Sequence, residues 1–287
     1  MLKQRIGTAI VLLPVAFGII FALPLEWFAL AVMLVLLLAA WEWSPLMKVC
    51  HLWGRLAYVV LVGIAIGGLF WFLDFDTLWI QGQIHSVLFY ISLIGALWWI
   101  LATLLVCNFP RSQRLWVRSR IFVGIFGFLI LVPTWTAALA VRSLHFETNP
   151  LFGAWTLLFV LGLVWAADIG AYFTGKKFGK RKLMPHVSPG KTLEGLYGGV
   201  ALALVVMGTV AWALPIEADL LFGYFLVGLI TVLVSVFGDL NESMFKRCAG
   251  VKDSGSILPG HGGILDRIDS LTSALPVFLI GYLWLVG

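Results

Sequence analysis

Long apolar runs, each close to the length of a bilayer-crossing helix, alternate along this chain with short polar stretches. A transmembrane helix needs about 20 mostly apolar residues. That ruler marks nine spans: 6–23, 26–47, 55–73, 86–106, 121–141, 151–173, 196–214, 219–238 and 264–285. Ser86 and Cys107 bound the fourth; Arg120 and Arg142 bound the fifth. Lys3 and Arg5 precede the first run as in a secretory leader, but the run is long, Pro24 ends it and another begins at once, so it reads as a retained span. The pattern predicts an all-α, polytopic transmembrane bundle with its N-terminus in the cytoplasm. Neither an internal repeat nor a low-complexity linker divides it. The N-terminal helices (1–150) and the C-terminal helices with their polar stretches (151–287) are therefore expected to form one integral membrane unit.

Composition removes the soluble alternative. Of 287 residues 61% are hydrophobic and 11% charged, against roughly 45–50% and about 25% in soluble domains. The net charge of +5 could suggest nucleic acid, but its distribution argues otherwise. With the N-terminus inside, the cytoplasmic segments hold Lys3, Arg5, Lys48, Arg55, Arg111, Arg114, Arg118, Arg120, Lys176, Lys177, Lys180, Arg181, Lys182, Lys191, Lys246, Arg247, Lys252 and Arg267. That is 18 of 19 basic residues, with Arg142 alone outside. Such an asymmetry is the positive-inside bias, not a nucleic-acid surface. Cys50, Cys107 and Cys248 are scattered and form neither a disulfide framework nor a zinc site.

The acids locate the chemistry. Glu26, Asp74, Asp76, Glu147, Glu217 and Asp219 fall in the opposite loops. Glu42, Asp168, Asp239 and Asp266 sit at or just inside the cytoplasmic ends of apolar runs, where an ionisable group is costly and marks function. Two cytoplasmic stretches break the apolar pattern, 175–195 and 238–270, both rich in Gly, Lys, Ser and acids. In the first, Ser188-Pro189-Gly190-Lys191-Thr192 ends like a P-loop but lacks its leading glycine and does not follow a predicted strand. A glycine for close approach, a lysine charge and a hydroxyl near a helix start suit phosphate; a basic loop on acidic lipid headgroups explains the run equally well. The lysines at 176–182 fit the headgroup reading better.

In the second stretch Asp239 and Glu242 are spaced i,i+3, as are Asp266 and Asp269 at the start of the last span. If the two helices pack as a hairpin, three or four carboxylates converge and need a cation. Hard oxygen ligands select Mg²⁺, which keeps waters and bridges to substrate phosphates. Interfacial caps salt-bridged to Lys246, Arg247 and Arg267 are the lesser alternative. His261, between glycines, either holds a turn or meets a phosphate.

Ser243 to Arg247, Lys252-Asp253, Pro259-Gly-His261-Gly-Gly and Asp266-Arg267-Ile-Asp269 together form a 27-residue pattern. It resembles the signature of the phosphatidate cytidylyltransferases, or CDP-diacylglycerol synthases. Asp168, Ala171-Tyr172, Ser188 to Thr192, Glu194-Gly195 and the Trp41-Glu42-Trp43 end of the second span resemble that family too. Ile169 departs from it, standing where many members carry a small hydroxyl residue. The resemblance is specific over 160–275 and rests on little more than hydrophobicity over most of the first 150 residues. It implies a bacterial inner-membrane enzyme, its active site facing the cytoplasm, that makes CDP-diacylglycerol and pyrophosphate from CTP and phosphatidic acid. Mg²⁺, with or without a second cation, and a bundle able to form a homodimer are also implied.

On this reading Asp239, Asp266 and Asp269 are the metal ligands, and Lys246, Arg247 and Arg267 hold phosphates. Ser188, Lys191, Thr192 and Glu194 are expected on the CTP side, with Asp168, Lys252, Asp253 and His261 as further substrate contacts. Two other functions compete. A CDP-alcohol phosphotransferase needs a DGx₂AR-type motif that this chain lacks. A transporter predicts acids deep in the spans and broken helices in repeated halves.

Overall fold

The computed structural model describes residues 2–214 and 216–286. Apolar runs become helices because a backbone in lipid must satisfy its own hydrogen bonds. In chain order these are α1 (Leu2–Phe21), α2 (Leu25–Leu46), α3 (Leu52–Phe72), α4 (Ser86–Cys107), the single turn α5 (Gln113–Trp116), α6 (Arg120–Arg142), α7 (Phe152–Phe178), α8 (Leu193–Ala213), α9 (Leu221–Ala249) and α10 (Leu265–Leu285). Among the described residues eight of them, α2, α3, α4 and α6 to α10, are long and apolar enough to cross a membrane. The ninth expected span, 6–23, coincides with α1, whose described apolar part is shorter, Ile10–Phe21. The side chains of residues 1–7 and 9, Lys3 and Arg5 included, lie outside what the structure describes.

The all-α expectation holds apart from two small antiparallel hairpins. One pairs β1 (Trp79–Ile80) with β2 (Gln83–Ile84) between α3 and α4. The other pairs β3 (Lys182–Met184) with β4 (Ser188–Thr192) between α7 and α8. The second corrects the loop reading of Ser188 to Thr192: the run is itself a strand, and it leads straight into α8.

At ~1.5 Å per residue, the 29-residue α9 is longer than a hydrocarbon core of about 30 Å. Its apolar part ends near Gly238, and the helix continues through the polar run to Ala249. Gly250, with φ 76°, takes the left-handed conformation that ends it.

The core centres on α6, which is buried without a break from Ile130 to Arg142 and packs against α2, α4 and α10. Buried indole N–H groups usually find acceptors. Those of Trp43, Trp99 and Trp135 donate to the backbone carbonyls of Val123, Thr272 and Ala29, at 2.9, 3.0 and 2.9 Å. Ile64, Ile100, Trp212 and Phe222 face outward on the surface that lipid would cover. Arg142, the one basic residue expected in the opposite loops, is buried instead. It donates to Ile20 O at 2.7 Å and Pro150 O at 3.1 Å, tying α1 to the α6–α7 connection.

Candidate functional site

α7 packs on α8, and α9 packs on α10, the hairpin arrangement expected of the last two spans. Gly238 permits the close α9–α10 approach: a Cβ there would lie 2.5 Å from Ser273 Oγ and 2.7 Å from Asp269 O. The crossing brings the end of α9 beside the start of α10, with α7 as the third wall.

A cavity of about 400 Å³ opens where they meet. Asp168 of α7, Asp239 and Lys246 of α9, Asp253 of the α9–α10 loop, and Asp266, Arg267 and Asp269 of α10 line it. Val164 and Trp165, one helical turn from Asp168, supply apolar wall. A second cavity of about 360 Å³ lies alongside, between α7, α8 and β4. Asp168 borders both. Lys191 lines the second and pairs with Asp239 of the first, Nζ to Oδ2 at 2.7 Å.

The charges in the first cavity are offset by lysines. Lys246 is buried, with Nζ 2.6 Å from Asp266 Oδ1 and 3.3 Å from Glu242 Oε1. Asp266 also accepts from the backbone N–H of Ser254 at 3.0 Å and of Gly263 at 2.8 Å. Asp239 accepts from Ser243 Oγ at 3.2 Å, and Asp269 from the Ser270 N–H at 2.7 Å. Glu242, the i,i+3 partner of Asp239, does not face the large cavity. It is buried behind it, beside Asn241 and Asp269 around a void of about 10 Å³.

Among the described residues no three Asp, Glu, His or Cys side chains come close enough to cage a metal ion. Lys191 is paired with Asp239, and Lys246 with Glu242 and Asp266. This donor set nevertheless suits Mg²⁺, which is usually bound through one or two carboxylates plus waters and substrate phosphates and not in an all-protein cage. Asp239, Asp266 and Asp269 are the carboxylates available for it.

Several expected site residues are occupied elsewhere. Arg247 turns from the cavity and donates to Val187 O at 3.2 Å, fixing the tip of the β3–β4 hairpin to α9. Glu194 closes the base of that hairpin: it accepts from the Lys180 and Arg181 backbone N–H groups at 3.0 and 3.1 Å, and pairs with Arg181 Nε at 3.0 Å. Thr192 lines the second cavity and is at the same time the N-cap of α8, its hydroxyl accepting from Gly195 N at 3.1 Å. Ser188 pairs with Met184 in the hairpin, and Lys252 is exposed on the α9–α10 loop. The His261 carbonyl accepts from Arg267 at 3.1 and 2.8 Å, so that residue sets the arginine's direction through its backbone.

Glu42 is the residue that spacing alone did not assign. It is 1% exposed near the end of α2, and Oε2 accepts from Leu265 N at 2.8 Å and Ser254 Oγ at 3.1 Å. A carboxylate at the end of an apolar run was the available signal, but its partners are more than two hundred residues away.

The chain matches the model of the cytidylyltransferase family over residues 3–285. It is 44% identical over 287 residues to the phosphatidate cytidylyltransferase of Pseudomonas aeruginosa, covering 100% of this chain and 98% of the relative. Identity to the phosphatidate cytidylyltransferase of Haemophilus influenzae is 40% over 295 residues, covering both chains completely. A Bacillus subtilis protein of the same name is 48% identical over 128 residues, which is 44% of this chain and 46% of that one.

Proposed function

The chain belongs to the cytidylyltransferase family, and we propose that it transfers the cytidylyl group of CTP to phosphatidic acid in membrane phospholipid synthesis. The products are CDP-diacylglycerol and pyrophosphate. One observation carries the reading: a polar cavity walled by five aspartates, a lysine and an arginine sits at the end of an otherwise apolar bundle. A nucleotide from water and a headgroup whose acyl chains stay in the bilayer can both reach such a place.

In the reaction a phosphatidate oxygen attacks the α-phosphorus of CTP, a P–O bond forms, and the bond to the departing pyrophosphate breaks. The nucleophile is already ionised, so the chain needs no strong general base. Its task is to bring two anions together and receive a third. Lys246 and Arg267 line the cavity and Lys191 stands at the junction with its neighbour, so three cations surround the reacting phosphates. The Lys191–Asp239 pair is partly exposed, 27% and 30%, and such pairs are worth about 0–1 kcal/mol, so phosphate competes for the lysine at little cost. Lys246 is held by Glu242 and Asp266 and acts as a fixed charge.

Asp239, Asp266 and Asp269 are the proposed source of carboxylate ligands for Mg²⁺, one or two of them completed by waters and the substrate phosphates. Those residues would hold the ion, and its chemistry there would be to polarise the α-phosphate and offset charge on the leaving pyrophosphate. The active site is proposed to face the cytoplasm of a bacterial inner membrane. The concentration of Lys and Arg in the loops at this end supports that orientation.

The test is pyrophosphate release by purified protein in detergent. Release is expected only with CTP, phosphatidate and Mg²⁺ all present; EDTA abolishes it and Mg²⁺ restores it. Full activity in EDTA would remove the metal assignment. Release without phosphatidate would remove the acceptor.

A further inference from the structure

The loop that joins α9 to α10 carries Asp253 and His261 and delivers Asp266, Arg267 and Asp269 to the cavity. Six of its residues from 250 to 263 are glycine, at 250, 255, 260, 262 and 263, or proline, at 259, and these bring no side-chain hydrogen bonds. Yet the carboxylate of Asp266 must be placed to within a fraction of an ångström to hold Lys246 and to serve as the proposed metal ligand. Two points of the loop fix it, and the same two carboxylates meet at both.

At the first point, Ser254 donates its backbone N–H to Asp266 and its hydroxyl to Glu42 Oε2, at 3.0 and 3.1 Å. At the second, Gly263 N donates to Asp266 Oδ2 at 2.8 Å, and Leu265 N donates to Glu42 Oε2 at 2.8 Å. Asp266 is part of the cavity wall; Glu42 belongs to α2, in the other half of the chain. The approach is tight, because a Cβ at Gly255 or Gly263 would run into the Glu42 carboxylate. Its other oxygen, Oε1, is buried with no hydrogen-bond partner among the described residues. A buried polar atom left that way is costly, which is a sign that the group is kept for what it holds.

We infer that Glu42 is a positioning residue: it clamps both ends of the 254–265 loop onto α2 and so sets where Asp266, Arg267 and Asp269 stand in the cavity. Glu42 does not line that cavity. Its effect passes through Ser254 and the first turn of α10. The kinetic part of this inference rests on the cytidylyl-transfer reading; the structural part does not.

The full-length protein in detergent tests it with Glu42→Ala, Glu42→Gln and Ser254→Ala, each followed by hydrogen exchange and by steady-state kinetics. Glu42→Ala is expected to speed amide exchange across 250–265 while leaving α3 and α4 as they were. It should lower kcat by about 100-fold, the effect of an ångström-scale misplacement, with little change in KM for CTP. Glu42→Gln keeps an acceptor oxygen and should recover most of the rate and the protection. Ser254→Ala removes one of the two bonds and should fall between. The inference is overturned if exchange of 250–265 in Glu42→Ala matches wild type, or if KM rises and kcat does not. Should Glu42→Ala fail to fold, unchanged exchange and kcat in Ser254→Ala overturn it equally. If the wild-type protein makes no lipid product, the activity reading fails, and the exchange measurement still decides whether Glu42 holds the loop.

Discussion

Asp269 and Asp253 line the same cavity from very different places. Asp269 is one turn into α10, its carboxylate set by the Ser270 N–H, whereas Asp253 is on the exposed α9–α10 loop. Asp269→Asn keeps the size and removes the charge that a metal needs. If Asp269 is a metal ligand as proposed, losing it costs several kcal/mol in the transition state, so the rate should fall on the order of a thousandfold. Asp253→Asn should be milder, because a solvated charge contributes about 0–1 kcal/mol. Both are compared at matched expression; equal, modest losses would make the α10 acids structural caps. Lys191→Ala should raise KM for CTP more than KM for phosphatidate in two-substrate kinetics, and the opposite pattern would move Lys191 to the lipid side. At this scale residue type and spacing were informative about which side chains could gather: Asp239, Asp266 and Asp269 do share a cavity. Direction was not legible. Arg247 and Glu194 have the right chemistry for phosphate or nucleotide, but local geometry commits them to the β3–β4 hairpin.

The elements read well from sequence wherever lipid sets the rules. A backbone in hydrocarbon has few options, so runs such as 86–106 and 121–141 mark α4 and α6 to within a residue or two. They read poorly in water. Beyond the run ending at 238 only the i,i+3 spacing of Asp239 and Glu242 hinted at more helix, not that α9 continues to Ala249, and the polar segment 182–192 pairs as a hairpin through contacts that hydropathy does not record. Nor does any periodicity tie Glu42 to Leu265. The α9–α10 crossing is the element-level feature with the sharpest consequence. Gly238→Ala puts a methyl against Ser273 and the Asp269 carbonyl. Overpacking of this kind costs typically 1–3 kcal/mol, so the melting temperature in detergent should drop. Activity should fall further than stability does, because Asp239 and Asp269 ride on the two helices being parted. A variant with unchanged melting and rate would mean that the crossing is looser than described.

Across the whole molecule, the proposed chemistry lies at the end where the α2–α3 and α4–α6 connections also emerge. Cys50 and Cys107 are both exposed there. In spheroplasts expressing the protein, a membrane-impermeant maleimide added outside should leave both thiols unmodified, and in inverted vesicles it should label them. Labelling from outside would reverse the orientation and separate the site from cytoplasmic CTP. The central claim, that this bundle moves a cytidylyl group onto a membrane lipid, is tested most directly by the fate of labelled phosphorus. Purified protein is given Mg²⁺, phosphatidate and CTP carrying the label at either the α- or the γ-position. The account predicts that α-label enters the organic phase in CDP-diacylglycerol while γ-label stays in water as pyrophosphate. Label from the γ-position appearing in lipid, or none entering it from the α-position, would contradict it.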